Sequence, residues 1–130
     1  MRFSTRALPD EADVLAPDGA EVRILAGLPA ASVAEFRLAP GAVTKAVEHR
    51  SVAEIWFILE GEGRIWRADA QGEEIGGLLP GLSLTIPLGT RFQFRNDGSG
   101  QLRILGITVP PWPGADEAVA VPGPWISTLP

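Results

Sequence analysis

At 130 residues and 13.8 kDa, with 45% apolar residues and a formal net charge of −5, the chain is long enough to bury a core as one domain. It has no Cys, which excludes disulfides, thiolate chemistry and zinc–sulfur sites. Its ten Arg and its single Lys, Lys45, are scattered rather than clustered, so nucleic acid is not an expected partner. Residues 1–9 lack the apolar core of a signal peptide, and no apolar run approaches the ~20 residues a membrane span needs, so a cytoplasmic protein without membrane contact is expected.

Fifteen Gly and 12 Pro punctuate the chain and leave little room for long helices. Residues 10–13 have the composition of one helical turn, which Pro17-Asp18-Gly19 would end. Strands are expected over residues 21–26 and 32–38, the second with Ala34, Phe36 and Leu38 on one face. After the Pro40-Gly41 turn come strands over 43–49 and 54–59, then 64–68 across the Gly61-Glu62-Gly63 hairpin. Residues 73–79, 83–86, 91–95 and 102–109 complete the set. Short strands at even spacing, joined by Gly-rich turns, predict an all-β antiparallel sandwich or barrel. Residues 110–130 are too rich in Pro for a strand in the interior of a sheet. With Trp112 and Trp125 they read as an extended arm packed on the barrel or on a partner subunit, the alternative being a loosely held extension.

Two stretches carry a recognisable pattern. Gly41, His49, Glu54 and Gly61 fall where one motif places a Gly, the second His of His-x-His, a Glu and a closing Gly. Gly81, Pro87, Gly89 and Asn96 match a second motif of Gly, Pro-x-Gly and Asn. Val47 and Phe92 stand where these motifs carry their other two His residues. The stretches resemble the two signature motifs of the cupin superfamily, small β-barrels that often hold a metal ion. The resemblance covers residues 31–109 and implies a single jelly-roll barrel, or double-stranded β-helix. Residues 1–30 would then be an N-terminal segment with the first strand or strands packed on the barrel, and 110–130 a C-terminal arm. Members of the superfamily are often dimers, so a homodimer is expected.

Strand alternation puts Lys45, Val47 and His49 on one face, and Glu54, Trp56 and Ile58 on one face of the next strand. The resemblance implies that these faces point inward and bring His49 and Glu54 together. An imidazole and a carboxylate are a start for a Mn, Fe, Ni or Zn site. Val47 and Phe92 offer no lone pair, so an ion would lean on water. Three readings stand at this point. In one, His49, Glu54 and water hold a divalent ion in an oxygenase, isomerase or lyase. In another, preferred here, a metal-free pocket uses the pair to bind a small organic molecule or to move a proton. In the third, the two groups merely satisfy each other in an apolar barrel.

The match of Pro87, Gly89 and Asn96 to the second cupin motif implies that Phe92 and Phe94 face inward. A one-residue slip would instead bring in Arg91 and Gln93, and with Arg91 a group able to hold a carboxylate or phosphate. Lys45, near the start of its strand, is placed at the barrel rim with its ammonium in water. Trp56, Trp66, Phe57 and Phe94 read as core and pocket wall, which suits a small ligand that is aromatic or carries a carboxylate.

Overall fold

The computed structural model describes residues 2–130, apart from the side chain of Ala115; Met1, at the head of the expected N-terminal segment, lies outside the described residues. The strands are β1 (Val14–Leu15), β2 (Glu21–Leu28), β3 (Ala31–Leu38), β4 (Val47–His49), β5 (Ala53–Glu60) and β6 (Gly63–Asp69). They continue as β7 (Gly72–Leu78), β8 (Ser83–Ile86), β9 (Arg91–Asn96), β10 (Leu102–Val109) and β11 (Ala118–Ala120). The only helical element among the described residues is a 3-10 turn at Ala115–Glu117, and no helix is long and apolar enough to cross a membrane.

All pairings are antiparallel and fall into two sheets, of order β1-β2-β3-β10-β5-β8 and β11-β4-β9-β6-β7. The sheets face each other as a jelly roll. Alternation decides what enters the space between them. On β5, Glu54, Trp56 and Ile58 are buried, while Ile55, Phe57 and Leu59 are exposed. On β9, Phe92 and Phe94 face inward and join the main core with Trp56, Ile58 and Ile104.

Three local expectations need correction. Residues 10–13 form no helical turn: the Asp13 amide donates to the Val22 carbonyl, and the Asp13 carboxylate takes the Ile24 amide and Arg6. These groups serve the edge of β2 instead of a helix. The strand expected over 43–49 is regular only at Val47–His49, because the Lys45 amide donates to the Asp18 carbonyl and the chain leaves the β9 ladder there. Phe57 is not core, since it is 43% exposed on the outer face of β5.

The hairpin at Gly61-Glu62-Gly63 shows why both glycines are there. Gly61 has φ +93°, and a Cβ on Gly63 would lie 2.0 Å from the Arg95 carbonyl oxygen.

Of the residues after β10, Ala118 and Leu129 pack on the main core, while Val121 and Trp125 cover the outer face of the second sheet. β11 pairs with β4, and beyond it Trp125 and Val121 pack on Ala46, Trp66 and Ala68. Gln93, pointing outward yet fully buried, holds this layer: its amide NH2 donates to the Thr44 and Trp125 carbonyls, and its Oε1 accepts from the Trp125 amide. Trp66 is therefore buried under the C-terminal segment and is no part of the inner wall.

Candidate functional site

Between the sheets, at the end where β4 meets β5, lies a cavity of about 360 Å³, within the range of roughly 300–1,000 Å³ that small-molecule sites occupy. Its walls are mostly apolar, with Phe36, Trp56, Phe92, Phe94 and Trp112 supplying aromatic surface. The polar groups facing it are Asp18, His49, Glu54, Ser32 and Thr108. The last two satisfy each other, with hydroxyl oxygens 2.6 Å apart.

His49 and Glu54 sit on consecutive strands that belong to opposite sheets, so they reach toward each other across the barrel. His49 Nδ1 is 3.3 Å from Glu54 Oε2, and both side chains are buried. The approach has no good hydrogen-bond geometry, which leaves Nδ1 without a partner. The other Glu54 oxygen accepts from the indole N–H of Trp56 at 3.3 Å. The His49 ring packs edge-on against Phe92 and Trp112, with centroids 5.2 and 5.4 Å away.

The connection between the two strands is fixed by Glu117. Its carboxylate accepts from the Ser51 amide at 2.6 Å, the Ser51 hydroxyl at 2.7 Å and the Val52 amide at 2.7 Å. Burial pushes the Glu117 pKa up, but these donors and the nearby His49 outweigh it and leave the net shift downward. Glu117 therefore stays charged while it anchors the turn.

On the cavity acids burial prevails. Glu54 is pushed up to about 8 by desolvation, reinforced by the charges of Asp18 and Glu117, against a lowering hydrogen bond from Trp56. Asp18 rises to about 6, again by burial, although the Ala20 amide and Lys45 oppose the rise. His49 is lowered by burial, partly countered by Glu117. At neutral pH the central pair is thus a protonated carboxyl beside an uncharged imidazole. The 3.3 Å contact is therefore an approach of two neutral groups rather than a salt bridge.

Of the residues singled out in the sequence, the structure brings His49, Glu54, Val47, Trp56, Phe92 and Phe94 together around the cavity. Val47 and Phe92 are direct cross-strand partners. Arg91 is not at the site: it pairs with Glu48 on the outer face of β4 and β9. Lys45 does not line the cavity either and is half-buried beside Asp18. The expectation of a ligand carboxylate loses its support, because no Arg or Lys among the described residues lines the cavity.

Three participants were not anticipated. Asp18 reads in sequence as one residue of a turn, and its Oδ1 does make the turn, accepting from the Ala20 amide at 3.0 Å. Trp112 and Glu117 belong to the segment after β10, and nothing in their spacing points to the barrel mouth.

The residues present do not fit a metal centre. No group of three or more His, Asp or Glu among the described residues converges on one point. The Phe92 ring packs edge-on against His49 where a third ligand would be needed.

The cupin domain profile matches residues 34–108. The chain belongs to the cupin family. A comparison with curated proteins finds no sequence match. Among solved structures, the chain is similar to BH2720 from Bacillus halodurans, with TM-score 0.65, 22% identity and 70% of each chain covered. It is similar to TT1209 from Thermus thermophilus, with TM-score 0.62 and 22% identity over 72% of this chain and 85% of that one. It also resembles a deletion mutant of the Bacillus subtilis oxalate decarboxylase OxdC, with TM-score 0.69 and 18% identity over 86% of this chain and 30% of that one. At these identities the likeness speaks for the fold alone.

Proposed function

We propose that this cupin binds a small, largely apolar organic molecule in the cavity between its sheets, and that Glu54 and His49 orient it and exchange a proton with it without a resident metal. The observation that carries this reading is the buried pair itself. Glu54 keeps its proton at neutral pH, and His49 Nδ1 lies 3.3 Å away with no other partner. Burial of two polar groups with one of them unsatisfied is costly. A ligand bearing both a donor and an acceptor relieves that cost, and a carboxyl that titrates near neutrality is suited to general acid–base work. The chemistry this supports is proton transfer within a bound molecule, as in an isomerisation or an elimination.

The test is ligand-induced stabilisation. Compounds from a small-molecule library that raise the melting temperature should do so equally with and without EDTA, and Glu54→Gln and His49→Gln should each weaken the effect. Stabilisation that vanishes on chelation would overturn the metal-free reading in favour of a metal-dependent cupin.

A further inference from the structure

The charge lining the cavity is one-sided. Asp18 and Glu54 both face it, Glu117 lies close behind His49, and no Arg or Lys among the described residues lines the wall. Lys45 is near enough to act on Asp18 but is outside the cavity. Both acids line this one cavity, and the charge of Asp18 helps to raise the Glu54 pKa. His49, only 7% exposed, adds a nitrogen with no hydrogen-bond partner on the same side.

The apolar remainder of the wall is aromatic in a particular way. Trp56 stands edge-on to Phe92 and to Phe94, at 5.9 and 5.0 Å between centroids, and tilted to Phe36 at 5.8 Å. Trp56, Phe92 and Phe94 are each only 1% exposed, so the aromatic surface open to the cavity comes chiefly from the half-buried Phe36 and Trp112. Carboxyl groups set in an aromatic and apolar wall with no basic residue favour a cation over an anion.

We infer that the occupant of this cavity is a small organic cation, a protonated amine on an apolar or aromatic body, with its N–H groups between Asp18 and Glu54. The inference rests on the proposed ligand-binding reading and narrows it to a substrate class. The proton balance is explicit. Glu54 enters binding protonated, gives its proton to solvent as the ammonium takes its place, and ends as a carboxylate facing that ammonium. No bond in the ligand changes. Binding is then coupled to release of about one proton, and affinity rises by approaching tenfold per pH unit from pH 6.5 to 7.5.

The experiment uses three probes of nearly equal size: 2-phenylethylamine, 2-phenylethanol and phenylacetate. Each is titrated calorimetrically into the full chain at pH 6.5 and 7.5, in two buffers of different ionisation enthalpy. The amine is expected to bind about tenfold or more tighter than the alcohol, to release close to one proton, and to leave phenylacetate the weakest. Glu54→Gln, nearly isosteric, should abolish the proton release and most of the preference while still binding the alcohol. The wild-type proton count carries the test even if that variant folds poorly. If the alcohol or phenylacetate binds as well as the amine, or amine binding releases no proton, the cation assignment falls and the ligand-binding reading stands. If neither these probes nor any library compound binds, both fall.

Discussion

His49 Nδ1 and Glu54 Oε2 stand 3.3 Å apart although their strands belong to opposite sheets. Four residues separate them in the chain, and the turn between is held by three hydrogen bonds to Glu117. The contact is therefore set by a carboxylate that arrives from far along the sequence. Its partners are neutral because the barrel interior will not hold their charges.

The first consequence is a pH dependence of stability. Folded Glu54 titrates at about 8 against an ordinary 4.5, and Asp18 at about 6 against 3.8. The stability from keeping these acids neutral is fully present below their unfolded values and is lost as pH rises through the folded ones. His49, lowered, acts oppositely and disfavours folding only below its ordinary value of 6.5. The ligand-free protein should lose on the order of a few kcal/mol between pH 5 and 8.5. Glu54→Gln should flatten most of that decline and melt several degrees higher than wild type at pH 8. Melting curves across this range check it, and a wild-type melting temperature that is level from pH 5 to 8 would refute the assignment.

Glu117→Ala removes the acceptor for two amides and a hydroxyl at once. We expect a loss of roughly 2–4 kcal/mol in urea denaturation. Amide exchange at Ser51 and Val52 should accelerate more than at β9. Equal protection of these amides in variant and wild type would show that the turn does not depend on Glu117.

Val47 and Phe92 face each other across β4 and β9 beside His49. Replacing both with His should complete a set of three imidazoles and one carboxylate. Ni or Zn affinity should rise by about 100-fold or more over wild type, with a cost in stability from burying two polar rings. Metal titration by calorimetry decides it; no gain would mean that these side chains do not surround the pair.

Two glycines should respond in opposite ways. A Cβ at Gly63 would collide with the Arg95 carbonyl at 2.0 Å, whereas Gly76 in β7 has nothing within 4 Å. Gly63→Ala should cost more than about 3 kcal/mol. Gly76→Ala should be neutral or stabilising by about 0.5 kcal/mol. Denaturant midpoints separate the two.

The strands were legible because Gly and Pro end them and alternation orients them. Alternation grouped Glu54 with Trp56 and Phe92 with Phe94, and the resemblance to the cupin motifs turned those faces inward. The same alternation puts Phe57 outside, and assigning it to the core by its aromaticity alone ignored the period of its own strand. Lys45 escaped because a single amide bond to the Asp18 carbonyl breaks the regular strand at its position. Asp18 itself was hidden by its turn role, since one carboxyl oxygen satisfies the local signature while the residue also faces the cavity. Trp112 and Glu117 were illegible for another reason. Their placement depends on where residues 110–120 cross the barrel, which is settled by contacts more than 60 residues away in sequence.

The cavity wall takes residues 14–18 from before the second strand, and Pro111, Trp112, Gly114 and Ala118 from after the tenth. Each of these pieces has little sheet of its own to hold it. An occupant touching both would act as a clasp between distant parts of the chain, and digestion by a protease should slow at both places together when the clasp is filled.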